Sequence, residues 1–181
     1  MVLPEHVQIG QLPQSAEEFI TLRDQIATTP QGGAAAMVAA LLLYAADEQL
    51  GLQCLTIAVD RDRLEAGTTG YRGWQLRRRE MQRIETQIKA GPHIPRSYID
   101  GATPENGYVL PALPYVLAFS DNPYSGDPDS GTYKLFVSCS GASSPRPVTV
   151  KRNDRGIWKA HEWSSLISGV KAPARSTEDD L

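Results

Sequence analysis

The sequence predicts an α+β domain in which about four N-terminal helices pack on one face of a curved, four-stranded antiparallel sheet. Apolar residues recur at helical spacing in residues 15–91, and they alternate at every second position in residues 108–166. A connector rich in proline and glycine separates the two halves. We therefore expect a single domain, residues 1–171, followed by a polar tail, residues 172–181.

Capping signals predict where the first two helices begin. Ser15 can accept a hydrogen bond from the backbone three residues on while Glu18 reaches back, which is a capping box. The Thr29-Pro30 pair begins a second, alanine-rich helix that we expect to end at Gly51. Its apolar composition predicts the central core helix.

Two further helices are predicted from the spacing of apolar residues. The third covers residues 52–66, which are apolar first and charged later. The fourth covers residues 74–90, where apolar residues from Trp74 to Ile88 recur at steps of seven, three and four. The Gly91-Pro92 pair then stops the chain from continuing as a helix.

Strands are predicted where apolar and polar side chains alternate, at residues 115–119, 133–139, 148–150 and 157–163. Residues 153–156 read Asn-Asp-Arg-Gly and supply a tight turn between the last two strands. This order of short segments predicts an antiparallel meander.

Composition predicts a soluble protein of the cytoplasm. The formal charge of −3 produces no overall attraction to nucleic acid or anionic lipid. The longest apolar stretch, residues 34–46, is too short to span a bilayer. Cys54 and Cys139 are not spaced like a disulfide scaffold, so we expect reduced thiols, and the N-terminus lacks a secretory signal.

Cys139, His161 and Glu162 form a candidate nucleophilic site, because the second and fourth predicted strands could bring them together. Strand alternation places Cys139 on the same face as Leu135 and Val137. That position favours a small buried side chain over a reactive thiol.

A loop carrying Asp121, Asp127 and Asp129 has oxygen ligands at nearly alternate positions, as calcium prefers. The spacing of a calcium loop is not met, since Gly131 stands where a further ligand is needed. Turns closed by the Asx side chains are favoured instead. We expect no metal and no cofactor.

Arg146 is the favoured binding anchor, because Pro145 and Pro147 fix its backbone. Arginine, tryptophan and tyrosine are the most frequent anchors of binding surfaces. We therefore expect a protein-binding surface in the C-terminal half. Its predicted members are Arg146, Lys151, Trp158, Glu162, Trp163, Tyr108 and Tyr133.

A pocket between sheet and helices is an alternative, and it would suit a small ligand or the substrate of a small enzyme. Arg146 or Lys151 would be its polar anchor. Its predicted walls are Tyr98, Tyr108, Tyr133 and Trp158.

A third hypothesis is nucleic-acid binding through a basic helix. The interleaved Glu80 and Glu85 favour a solvated face with ion pairs instead. The basic residues concerned are Arg72, Arg77, Arg78, Arg79 and Arg83.

The second half of the chain resembles an uncharacterised bacterial family, a domain of unknown function. The resemblance rests on four segments: RSYIDGATPENGYVLP, NPYSGDPDSGTYKLFV, SGASSPRPV and NDRGIWKAHEWSSL. It implies a bacterial source and a stable domain, and it implies no activity or catalytic residue. Since acid/base pairs are not evident in the sequence, the leading hypothesis is a non-enzymatic protein-binding module, of an accessory or immunity type.

Overall fold

A computed structural model describes residues 3–174 and shows an α+β fold of four helices and a curled antiparallel sheet. The sheet has five strands in the order β1-β4-β5-β6-β7, and a separate hairpin pairs β2 with β3. The helices are α1 Ala16–Ile26, α2 Pro30–Ala46, α3 Glu48–Ala58 and α4 Arg78–Ala90. The strands are β1 His6–Ile9, β2 Leu64–Tyr71, β3 Trp74–Leu76, β4 Tyr115–Ser120, β5 Thr132–Val137, β6 Arg146–Arg152 and β7 Trp158–Glu162. The predicted fold class is confirmed.

Helix α2 is the centre of the core, as its composition predicts. Every residue from Pro30 to Tyr44 is buried, because the helix packs on α1 and α3 as well as on the sheet. At Gly33 a Cβ atom would lie 2.8 Å from the Cβ of Trp158, so glycine permits the close approach of α2 to β7. This approach fixes β7 relative to the helices. No helix in residues 3–174 has the length and apolarity needed to cross a membrane.

The sheet has one strand more than predicted, because the N-terminal segment β1 pairs with β4. Val7 and Ile9 point into the core, while His6 and Gln8 are exposed. Only two buried side chains mark this four-residue strand, and such a short alternation does not stand out in the sequence.

The boundary between α2 and α3 lies at Asp47 and not at Gly51. The Asp47 carboxylate accepts a hydrogen bond from the backbone N–H of Leu50 at 3.2 Å, so it caps the new helix. Gly51 lies inside α3, where a Cβ atom would be 2.2 Å from the Tyr44 backbone. The glycine therefore permits two helices to pack closely and does not end one.

Predictions of helix at residues 59–66 and 74–77 are wrong, because after α3 the chain forms a 3-10 turn at Arg61–Arg63 and then the β2–β3 hairpin. Its two-residue turn is Arg72-Gly73, with φ angles of 50° and 83°. Two successive positive φ angles are typical of the turn that matches strand twist. Trp74 consequently lies in β3, and α4 begins at Arg78.

The aspartate-rich loop closes its own turns, as predicted. Asn122 Oδ1 accepts from the Tyr124 backbone N–H at 2.8 Å, and Asp127 Oδ1 accepts from that of Asp129 at 3.0 Å. Within residues 3–174, no group of three His, Cys, Asp or Glu side chains is arranged to hold a metal ion. The Asn122 and Asp127 side chains thus close local turns.

Candidate functional site

The four aromatic residues expected at a binding surface are all buried. The Tyr108 hydroxyl donates to the Lys171 carbonyl, and the Tyr133 hydroxyl donates to Asp121 Oδ2. Trp158 packs against α2, and Trp163 is 4% exposed. These side chains therefore belong to the core. Within residues 3–174, Trp158 and Trp163 form no exposed patch that a partner could contact.

Arg146 makes its hydrogen bonds within the chain. Its guanidinium donates to the backbone carbonyls of Ser165 at 3.1 Å, Ser168 at 2.5 Å and Gly169 at 2.9 Å. Three acceptors from one segment tie the C-terminal turn to β6. Most of the donors that a partner would need are thus already engaged.

Lys151, Glu162 and the candidate nucleophile lie in separate surroundings. Lys151 is half-buried in β6, whereas the Glu162 carboxylate forms a surface ion pair with Arg63 at 2.9 Å. Cys139 lies beyond the end of β5, with its Sγ 3.3 Å from Ser97 Oγ. His161 pairs with Asp60, and the candidate Cys139–His161–Glu162 arrangement, which the sequence did not favour, is not formed.

A cleft of about 620 Å³ opens between the helices and the end of the sheet. Helices α1 and α3 form one side, the β2–β3 hairpin another, and β7 with its preceding turn the third. The residues that give it its charge and aromatic surface are Arg23, Arg61, Arg72, Arg155, Lys159, Tyr71 and Trp74. We call this the cationic cleft.

Two of the arginines lie over aromatic rings that belong to the hairpin. The Arg61 guanidinium is 4.6 Å from the centre of the Trp74 ring, and that of Arg72 is 5.1 Å from the Tyr71 ring. A guanidinium on an aromatic face is attracted by the ring quadrupole while its edge donors stay free. Both arginines are therefore oriented without using a carboxylate.

Only Arg23 among the five cations of the cleft has an acidic partner within residues 3–174, the adjacent Asp24 at 2.8 Å. Burial lowers the pKa of Lys159 to about 8, and the charge of Arg23 acts in the same direction, whereas Asp60 opposes it. The cleft thus holds Lys159 in a place where its own charge is disfavoured.

The sequence offers little that marks these cations, because they come from four segments between Arg23 and Lys159. Arg61 follows α3 in a short 3-10 turn, and Arg155 lies in the β6–β7 turn. One sequence feature could have located the hairpin side of the cleft: the Arg72-Gly73 pair, which suits a two-residue hairpin turn.

The prediction of a single basic helix from Arg72 to Arg83 is wrong, because the β2–β3 hairpin occupies the first part of that segment. Arg72 lies in the hairpin turn, and Arg77 is the residue before α4, where it donates to the Asp62 carbonyl at 2.7 Å. Arg78, Arg79 and Arg83 lie on the helix itself.

Fold and site together define a small α+β domain with a positively charged cleft between helices and sheet. A family model described as Domain of unknown function (DUF6935) matches residues 11–174, and the chain belongs to that family. The match includes every residue of the cationic cleft, and it confirms the resemblance to a family of unknown function. No curated protein and no solved structure matches the chain.

Proposed function

We propose that this protein is a ligand-binding domain whose cationic cleft holds a small molecule bearing two or more negative charges, such as a phosphorylated or polycarboxylate compound. The observation that carries the proposal is the convergence of five cations on one cleft in a chain of net charge −3. Their clustering is therefore local and does not follow from an excess of basic residues.

Assembling these cations has an electrostatic cost. The repulsion between like charges rises as their separation falls and as water is excluded from the space between them. Burial is the main cause of the lowered pKa of Lys159, and repulsion by Arg23 adds to it. A multiply charged anion in the cleft would offset the repulsion, and sites with perturbed groups of this kind are often functional.

The size and walls of the cleft favour a small ligand. Its volume of about 620 Å³ lies within the ordinary range of small-molecule sites. Tyr71 and Trp74 supply apolar surface and hold Arg72 and Arg61 in place, so less side-chain entropy is lost when an anion binds.

A protein partner is the second candidate function, in which an acidic segment would occupy the same cleft. It corresponds to an accessory or immunity-type module. The burial of Tyr108, Tyr133, Trp158 and Trp163 makes it the weaker hypothesis, since such interfaces use exposed aromatic anchors. Nucleic acid ranks third, since the predicted basic helix is divided between a turn and α4.

The proposal places the protein in the cytoplasm of a bacterium. The cytoplasmic location is supported by the pair of cysteines, neither of which forms a disulfide: Cys54 is buried and Cys139 is half-buried. The bacterial source is supported only by the resemblance of the second half of the chain to a bacterial family. Burial raises the pKa of the Cys54 thiol to about 12, so that thiol is suited to a structural role. Catalysis is not part of the proposal.

Titration calorimetry with three probes tests the class of occupant. Inorganic pyrophosphate represents the small anion, an oligoglutamate peptide the acidic partner, and a single-stranded oligonucleotide the nucleic acid. We expect pyrophosphate to bind one site with a Kd of about 10 μM, which corresponds to about −7 kcal/mol. Tighter binding of the peptide or the oligonucleotide than of pyrophosphate would contradict the small-ligand proposal.

A further inference from the structure

The cationic cleft is also lined by apolar side chains. Ile20, Leu64, Tyr71 and Trp74 all line it and are only half-buried, so they present apolar surface to the cleft. Ile20, Leu64 and Tyr71 also pack against the hydrophobic core, which holds that surface in place. Clustered apolar surface that a folded protein leaves open commonly marks a binding groove. We call these four side chains the apolar wall.

Charge and apolar surface are unevenly distributed around the cleft. The apolar wall comes from α1 and the β2–β3 hairpin, whereas β7 and its preceding turn contribute Arg155 and Lys159 and, within residues 3–174, no apolar side chain. Burial lowers the pKa of Lys159 most, and the charges of Arg23 and Arg155 act in the same direction, so these three cations lie near one another. One side of the cleft is therefore purely cationic, and the other sides combine cations with apolar surface.

Local geometry places the apolar wall directly beside cations. Ile20 and Arg23 are three residues apart in α1 and so share a face of the helix. In the hairpin, the guanidiniums of Arg61 and Arg72 lie over the rings of the apolar wall. An anion bound by these arginines consequently has apolar surface next to it, and a purely inorganic anion would leave that surface in water.

The volume of the cleft exceeds the size of an inorganic anion. An apolar cavity of about 150 Å³ holds benzene, so the 620 Å³ of the cleft admits roughly 25 non-hydrogen atoms. Pyrophosphate would fill only about a third of that space. The remaining space lies within walls that include the apolar side chains.

We propose that the occupant of the cationic cleft is an amphipathic anion, whose phosphate or carboxylate head contacts the cations and whose hydrocarbon or aromatic body lies against the apolar wall. This inference rests on the proposed function and adds the chemical class of the ligand. Contact between body and wall removes apolar surface of both from water, which is favourable in proportion to the area covered.

Titration calorimetry with three diphosphate monoesters tests the apolar body. Methyl, n-hexyl and phenyl diphosphate carry the same charged head and differ only in the body. We expect the better of the two six-carbon esters to bind about 30-fold more tightly than the methyl ester, since its carbon atoms are transferred from water to apolar surface. Tighter binding of the phenyl ester indicates a planar body, and tighter binding of the hexyl ester a flexible chain. Affinities of all three within threefold would overturn the proposal.

Variants of the intact protein test the apolar wall. Leu64→Thr keeps a side chain suited to a strand, and Ile20→Gln keeps one suited to a helix. Each should weaken binding of the hexyl or phenyl ester about fivefold and leave methyl diphosphate affinity unchanged, because the wall contacts the body and not the head. Leu110 is also half-buried but does not line the cleft, so Leu110→Thr should have no effect. Equal weakening of methyl and hexyl esters, or a hexyl preference that persists in both wall variants, would contradict the proposed contact.

The same titrations separate this inference from the proposed function. Suppose that pyrophosphate and methyl diphosphate bind and that Arg61→Gln/Arg72→Gln weakens both. The proposed function is then supported, and the absence of any gain with the six-carbon esters would overturn the amphipathic ligand alone. If none of the four diphosphates binds, both proposals fail.

Discussion

At the scale of single residues, Lys159 shows the conflict between stability and binding in the cationic cleft. Its folded-state pKa of about 8 lies below the ordinary value of 10.5. Below pH 8 the Lys159 ammonium is charged in both the folded and the unfolded state. The folded state then carries the full free-energy cost of holding that charge in a buried site. Between pH 8 and 10.5 the unfolded chain binds more protons than the folded chain, and this group makes stability rise with pH.

Lys159→Met should therefore stabilise the fold at pH 7 by about 1–2 kcal/mol, less than the full shift implies because the ammonium is partly solvated. The same change should weaken pyrophosphate binding about tenfold. Urea unfolding measures the first effect and calorimetry the second. In the wild type, affinity for pyrophosphate should fall as the pH rises above 8. A Lys159→Met variant that is less stable than the wild type and binds pyrophosphate with the same affinity would contradict this role of Lys159.

Arg146 illustrates how a rigid arginine can serve the fold. Arg146→Ala removes three hydrogen bonds from a charged donor to Ser165, Ser168 and Gly169 carbonyls. Since bonds to charged groups contribute more than neutral ones, we expect a loss of about 2–3 kcal/mol of stability. Pyrophosphate affinity of the folded fraction should be unchanged. A stable Arg146→Ala variant with impaired binding would instead restore the sequence-based hypothesis that Arg146 is a binding anchor.

At the scale of elements, β1 can be tested as a part of the sheet. Ile9 is fully buried at the end of β1, opposite Tyr115 of β4, so Ile9→Ala should cost about 2–4 kcal/mol through a cavity. The neighbouring Gln8 is exposed on the other face, and Gln8→Ala should change stability by less than about 0.5 kcal/mol. Equal effects of the two substitutions would show that β1 does not pack as described. Denaturant unfolding of both variants gives the comparison.

The elements also show which parts of the fold can be predicted from sequence. Helices α1, α2 and α4 and strands β4 to β7 follow from apolar periodicity and capping residues, because many side chains contribute to each pattern. Strand β1 and the β2–β3 hairpin do not, since β1 has two buried residues and β2 is mostly half-buried or exposed. The hairpin is fixed by the Arg72-Gly73 turn and by contacts with α3.

The candidate site was less predictable than the fold. Tryptophan and tyrosine suggest binding when exposed, yet burial depends on long-range packing that periodicity does not describe. The cations of the cleft come from segments separated by up to 136 positions, the distance from Arg23 to Lys159. Only the fold places them together. Glu80 and His161 likewise line one cavity although 81 positions separate them in the chain, so no local motif could indicate that they lie near each other.

At the scale of the whole molecule, the protein is an acidic domain with a local concentration of positive charge. The net charge of −3 repels anions at long range, while the cleft attracts them at short range. Added salt should therefore screen the long-range repulsion as well as the local attraction, with a Debye length of about 8 Å at physiological ionic strength. Binding must be compared at fixed salt between variants of equal net charge.

The most direct measurement is a pyrophosphate titration of two charge-matched double variants. Arg61→Gln/Arg72→Gln removes two cations of the cleft, and Arg78→Gln/Lys134→Gln removes two exposed cations elsewhere. We expect the first variant to weaken pyrophosphate binding about 100-fold, or about 2.7 kcal/mol, and the second to change it less than threefold. Equal weakening in both variants, or no effect of the first, would contradict the claim that the cationic cleft is the binding site.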